Sequence, residues 1–128
     1  MRLLNVHATW RNSYDGRNAP AASDFGLFAE LGTERERCIL LGDFNTTAWT
    51  SQMHDVRSAG LIDAFSSVGA GFGFTFPAEG RWRRIPAPTC VRIDHILHTD
   101  AFRSVRCERG PSCGSDHYPL VADLVEVR

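Results

Sequence analysis

Lysine is absent: all 14 basic residues of the 128-residue chain are arginine. Lysine Schiff-base chemistry and a Walker-type phosphate lysine are therefore excluded. Long apolar runs are missing too, and none approaches the ~18 residues that a membrane-spanning helix needs. The N-terminus lacks a long apolar h-region and a small-residue cleavage site, so no signal, anchor or address is expected. The four cysteines, Cys38, Cys90, Cys107 and Cys113, form no C-x-x-C pair, which argues against a redox motif or a structural zinc cluster. Charge of one sign is also lacking. Fourteen basic residues face 15 acidic ones, a formal net charge of -1, which rules out a uniformly basic nucleic-acid coat and leaves only local basic patches. Neither an internal repeat nor a linker is present.

What remains is an ordinary globular composition, 43% hydrophobic and 23% charged. A chain of this length supports one domain and buries roughly two-thirds of its unfolded surface. Residues 3–8 alternate as a strand, with Leu4, Val6 and Ala8 on one face and Asn5 and His7 on the other. Residues 11–20 read as a polar loop. A helix is predicted over 21–31 from the spacing of Phe25, Phe28 and Leu31, with Ser23 as N-cap and Gly32 as the stop. Residues 38–41 form an apolar strand of the kind buried on both faces, with Cys38 a buried thiol. A second helix is expected over 51–59, closed by Gly60, then a packed connector over 61–65. Residues 66–90, rich in glycine and proline, carry the basic segment Arg81-Trp82-Arg83-Arg84 and read as a functional surface loop or disorder. Strands follow at 91–97, 101–107 and 118–127. The loop between Cys107 and Cys113 leaves a disulfide there open.

Three strand edges gather acidic, amide and imidazole groups. In Gly42-Asp43-Phe44-Asn45, a spacing of two turns Asp43 and Asn45 to one side and Phe44 into the core. A carboxylate beside a carboxamide can hold a water and donate to an anionic oxygen, although an Asx-capped turn explains the pattern equally. In Arg92-Ile93-Asp94-His95-Ile96-Leu97, Asp94 is a carboxylate in an apolar strand and needs a partner. In Ser115-Asp116-His117-Tyr118-Pro119, a turn delivers Asp116 and His117 side by side. His7 reads as a structural histidine when taken alone, and His54 and His98 are assigned to the solvated surface.

In this order, strand–GDFN, strand–RIDHIL and turn–SDHYP–strand, preceded by an NVH strand, resemble the endonuclease/exonuclease/phosphatase superfamily of deoxyribonuclease-I-like folds. The resemblance runs from Leu3 to Val127. It implies an α/β (α+β) two-sheet sandwich with outer helices, of which one sheet and its helices are expected here. It also implies phosphoester, including phosphodiester, hydrolysis with a divalent metal, magnesium or else manganese. Asp43 matches the aspartate that activates water, and Asn45 the amide that contacts a phosphate oxygen. His117 matches the histidine that donates to non-bridging oxygens, Asp94 the carboxylate that orients it, and His7 the phosphate-contacting histidine. Asp116, with Asp43, matches the metal-binding aspartates.

Domains of this family ordinarily begin earlier, with a strand bearing an asparagine and then a metal-ligating glutamate. Residues 1–128 therefore read as the C-terminal portion of one such domain, with weak or no turnover alone. The alternative is a non-catalytic remnant, or a binding or oligomerisation module, of the same fold. A homodimer or a partner chain could complete the sandwich. The segment from Gly71 through Asp94 resembles bacterial members, some membrane-anchored and outward-facing, for which a lipid-linked phosphate is a substrate class beside nucleic acid. Arg81, Arg83 and Arg84 could bind a nucleic-acid backbone beside a stacked indole, or anionic headgroups, or simply be solvated.

Overall fold

The computed structural model describes residues 1–8, 22–33 and 37–127, the side chains of 22–24 and 33 excepted. The expected loop at 11–20 lies outside the described residues, and Ser23, expected as the N-cap of the first helix, falls inside α1 (Ala22–Thr33). Strands β1 (Arg2–His7), β2 (Cys38–Asp43), β3 (Ile62–Asp63) and β6 (Asp94–His98) form a four-stranded sheet in the order β1-β2-β6-β3. β1 runs parallel to β2, while β6 is antiparallel to both β2 and β3. Helices α1 (Ala22–Thr33) and α2 (Ser51–Ser58) cover one face. The other face meets α3 (Ala64–Val68) and a separate antiparallel ribbon of β7 (Phe102–Arg109) and β8 (Leu120–Glu126). A small hairpin, β4 (Arg81–Trp82) and β5 (Ile85–Pro86), stands apart. This is the expected mixed α/β architecture with one principal sheet, and the ribbon is a second layer beside it. No helix among the described residues is long and apolar enough to cross a membrane.

Alternation explains the two faces. Neighbours on a strand point oppositely, so Leu97 joins the core under α1 and α2 while Ile96 packs toward Phe65, Leu120 and Leu124. Phe44 is fully buried, as its spacing predicts, with ring contacts to Phe28 at 5.3 Å and Phe25 at 6.4 Å. Each such aromatic pair adds about 0.5–1.5 kcal/mol beyond its buried area. β2 departs from expectation. Leu40 is fully buried but Ile39 and Leu41 are half-buried, because the two-stranded ribbon covers the second face only in part.

Several other expectations need correction. Gly32 lies inside α1 rather than ending it: a Cβ there would stand 2.9 Å from the Ala59 carbonyl oxygen, so this glycine serves the close approach of α1 to the end of α2. The connector at 61–65 is instead β3 followed by α3, whose N-cap Asp63 accepts from the amides of Phe65 (3.0 Å) and Ser66 (3.3 Å). The irregular stretch 66–90 contains the end of α3, a single 3-10 turn at Ala78–Gly80 and the hairpin β4–β5. His98, expected at the surface, is 1% exposed and lies 2.7 Å from Ser104 Oγ and 2.9 Å from the Thr99 carbonyl, so both ring nitrogens are satisfied inside the fold. His54 is exposed as expected. Cys107 and Cys113 both carry free thiols; Cys107 is buried and Cys113 exposed. Burial, and then the nearby Asp63 carboxylate, push the Cys107 thiol up to about 11, which leaves it a poor nucleophile.

Beneath the sheet edge lies a buried polar cluster that local patterning does not reveal. Arg92, 5% exposed, donates through Nη2 to Asp63 Oδ2 at 2.9 Å and through Nη1 to Oδ1 at 3.3 Å. Its Nη1 also lies 2.8 Å from His95 Nδ1. That Nδ1 also faces Asp63 Oδ2 at 3.4 Å, and His95 Nε2–H donates to the Thr46 carbonyl at 2.9 Å. Ser66 Oγ closes the cluster, donating to Asp63 Oδ2 at 2.9 Å. β6, α3 and the segment after β2 are thereby tied together by charge-assisted bonds.

Candidate active site

Sheet register builds the site. His7 is opposite Asp43, and Asp43 opposite Asp94, so the ends of β1 and β2 and the start of β6 place three functional groups in one row. Gly42 permits this: its φ is +136°, and a Cβ would fall 2.0 Å from the Val6 carbonyl oxygen. Beyond the strand, Asn45 takes a left-handed φ of 49°, which asparagine tolerates better than most residues. Its amide donates to Asp43 Oδ1 at 2.7 Å, and its Nδ2 donates to the Ala8 carbonyl at 2.7 Å. The Asx turn is thus real, and it fixes the carboxylate instead of competing with a role for it.

Asp43 Oδ2 remains available. It lies 3.9 Å from both His117 Nε2 and His7 Nε2. Burial raises the Asp43 pKa above its ordinary 3.8; the Asn45 amide opposes that shift, the Asp94 charge adds to it, and the two imidazoles again oppose it. His117 Nδ1 lies 2.8 Å from Asp94 Oδ2. An ionised carboxylate only accepts, so Nδ1–H donates and Nε2 is turned toward Asp43. Phe76 packs on the other side of that ring, with centroids 4.8 Å apart. A cavity of about 430 Å3 opens here, with His7, Asp43, Asn45, His117 and Arg83 on its polar side and Phe76, Trp82, Val91 and Ile93 on its apolar side. A larger groove of about 610 Å3 beside β7 holds none of these strand-end groups.

His7, Asp43, Asn45, Asp94 and His117 are therefore brought together. Arg83 lines the same cavity, whereas Arg81 and Arg84 do not. Asp116 is exposed; its backbone carbonyl accepts from Ala78 N at 2.7 Å, and its carboxylate is outside the acidic cluster. Among the described residues, Asp43, Asp94 and His117 offer ligand atoms within 4.8 Å of one another. The two hard carboxylates fit a divalent ion that keeps part of its water shell.

Sequence reasoning missed Thr75. It is fully buried, and its Oγ1 accepts from the amides of Ile93 (3.3 Å) and Asp94 (3.4 Å). Its carbonyl accepts from Tyr118 N at 2.8 Å. One residue thus holds the strand of Asp94 against the turn of His117. Phe76 was inside a quoted motif but carried no role, because nothing local shows which ring a phenylalanine will meet.

The endonuclease/exonuclease/phosphatase family profile matches residues 2–117. No curated protein matches the chain. Among solved structures, an endonuclease/exonuclease/phosphatase from Bacteroides vulgatus is 26% identical, with a TM-score of 0.65 over 83% of this chain and 44% of that one. A Bacteroides thetaiotaomicron mannosyl-6-phosphatase is 24% identical, with a TM-score of 0.67 over 96% of this chain and 50% of that one. A 3'-5' exonuclease from Neisseria meningitidis is 20% identical, with a TM-score of 0.65 over 94% and 60%. The chain spans about half the length of these relatives. With its strand-end acids, amide and imidazoles inside the matched region, the chain belongs to the endonuclease/exonuclease/phosphatase family.

Proposed function

We propose that this chain carries the water-activating and phosphate-binding side of a divalent-metal-dependent phosphoesterase. The observation that carries the reading is the row His7–Asp43–Asp94 with His117 seated on Asp94 at 2.8 Å. Asp43, fixed through Oδ1 and open at Oδ2, accepts the proton of an attacking water; a carboxylate with a raised pKa is the better base. His117, oriented by Asp94, presents Nε2–H to a non-bridging phosphate oxygen when its ring is doubly protonated. His7 and Asn45 line the same wall for further phosphate contact. Such fixed donors stabilise the charge that gathers in the transition state more than the ground state. Asp43 and Asp94 are the carboxylates that would hold the metal, which would supply Lewis-acid charge at the phosphoryl group, while His117, protonated at both ring nitrogens in this role, donates to phosphate and does not ligate. Exposed Asp116 is a supplementary ligand in this reading, placed beside His117.

Hydrolysis of a phosphate monoester and a diester by the purified chain with magnesium tests this. Asp43→Ala and His117→Ala should each lower turnover by about a hundredfold or more while circular dichroism stays native. Unchanged turnover in either variant overturns the assignment. The rival reading, a binding module without turnover, is favoured by the chain's half-length match to its relatives. Magnesium calorimetry separates the two, since the rival has no saturable site. Within the proposal, residues 1–128 are the C-terminal portion of a longer domain, and the exposed Val121 and Val125 of β8 face the layer that completes it, from a partner chain or a second copy.

A further inference from the structure

The hairpin β4–β5 is built from residues poorly suited to its turn. Arg81 pairs with Pro86 and Trp82 with Ile85, which leaves Arg83 and Arg84 as a two-residue loop. Their φ angles are +48° and +72°, the two left-handed positions of a type I′ turn that ordinarily takes Asn-Gly or Asp-Gly. Long side chains are strained there, and the whole hairpin is exposed, so no buried packing compensates. Strain of this kind is characteristic of ligand clamps.

Arg83 lines the cavity of Asp43 and His117, with its guanidinium carbon 5.4 Å from the Trp82 ring centroid. Trp82 meets Phe76 edge-on at 6.5 Å, and Phe76 lies 4.8 Å from the His117 ring. His117, Phe76, Trp82 and Arg83 therefore make one continuous wall leading outward from the strand-end acids. Among the described residues lining that cavity, Arg83 is the only one with a permanent positive charge.

The geometry points to a subsite for a nucleotide-type phosphoester: a flat ring lies along the Phe76–Trp82 wall, and Arg83, stacked on the indole, grips a second phosphoryl group. The assignment rests on the proposed phosphoesterase reading for the first phosphate, at Asp43 and His117. A volume of about 430 Å3 falls in the range of small-ligand sites, with aromatic walls that suit a planar ring. A lipid surface would instead engage the hairpin's cations together, and here only Arg83 of the three hairpin arginines lines the cavity.

Calorimetry with thymidine 3',5'-bisphosphate, thymidine 5'-monophosphate and inorganic phosphate tests the subsite without requiring turnover. The bisphosphate should bind about tenfold more tightly than the monophosphate, as a charge-assisted contact implies. Arg83→Gly should erase that preference, leave the monophosphate affinity unchanged and raise the melting temperature by relaxing the turn. Trp82→Leu should weaken both nucleotides and spare inorganic phosphate. No nucleotide binding, no bisphosphate preference, or a preference that survives Arg83→Gly overturns the proposal. So does a lowered melting temperature in Arg83→Gly, which would assign the arginine to the fold. Arg83-dependent binding to phosphatidylglycerol vesicles without a bisphosphate preference overturns it in favour of a membrane surface. Failure of the phosphoesterase reading shows separately, as turnover that persists in Asp43→Ala.

Discussion

The two oxygens of Asp43 have different tasks. Oδ1 is held by the Asn45 amide, and Oδ2 faces two imidazoles across 3.9 Å gaps that admit a reactant atom only after adjustment. Burial makes the ionised form costly and raises the pKa above 3.8, with the like charge of Asp94 adding to it. A base must be ionised to act, so the rate should rise with pH along an acid limb placed above the ordinary carboxylate value. Asp94→Asn removes the like charge and should move that limb to lower pH; it also replaces the charged acceptor of His117 Nδ1–H with a weaker neutral one, so the plateau should fall. A pH–rate profile of both proteins checks this, and a limb that moves upward contradicts the assignment of Asp43. The Asp43–Asn45 pair and the need of Asp94 for a partner were legible from residue types and spacing. Which partner Asp94 takes was not, since His117 lies 23 residues away and only the fold brings it near.

At the scale of elements, strand ends hold His7, Asp43 and Asp94 and a turn holds His117, so the geometry of the site depends on how that turn is fastened to the strands. Thr75 does this for the two halves of the Asp94–His117 pair, from a segment that shows no periodicity. Thr75→Val keeps the shape but leaves two amides short of an acceptor. It should cost about 1–3 kcal/mol of stability and lower turnover. Thr75→Ser, which keeps the hydroxyl, should restore most of both. Urea denaturation and turnover measured together check this, and a Val variant as stable and active as the parent refutes it. Helices and long strands were readable because alternation and 3.6-residue spacing report burial directly, as Phe25, Phe28 and Leu31 show. Gly32 misled because a glycine that ends a helix and one that admits a neighbouring helix look alike until the neighbour is known. The hairpin β4–β5 was hidden because Arg-Arg is the reverse of a turn signal.

For the whole molecule, the Asp63–Arg92–His95 cluster joins β6 to α3 and to the segment after β2. Burial alone would raise the Asp63 pKa, but the neighbouring His95 and Arg92 outweigh it and hold the carboxyl far below the usual range. A depressed folded pKa means that the stabilisation is complete above the unfolded value of 3.8 and drains as pH falls below it. Asp63→Asn leaves the Arg92 guanidinium buried without its anion and should cost about 3–5 kcal/mol near neutral pH. It should also flatten the loss of stability on acidification below about pH 4. Urea titrations across that range decide it, and a variant as stable as the parent would show that the cluster contributes nothing.

What the sequence determined alone is what depends on near neighbours: the strands that alternate, the helical faces, the absence of lysine, and the acids, amide and imidazoles at strand ends. The tertiary structure decided every pairing between distant residues. It placed Asp94 against His117, Arg92 against Asp63 and Arg83 at the rim of the cavity, and it took His98 from the expected surface into the interior. Periodicity encodes which face a residue occupies, whereas a charged group's partner is set by register and packing across tens of residues, which no local pattern records.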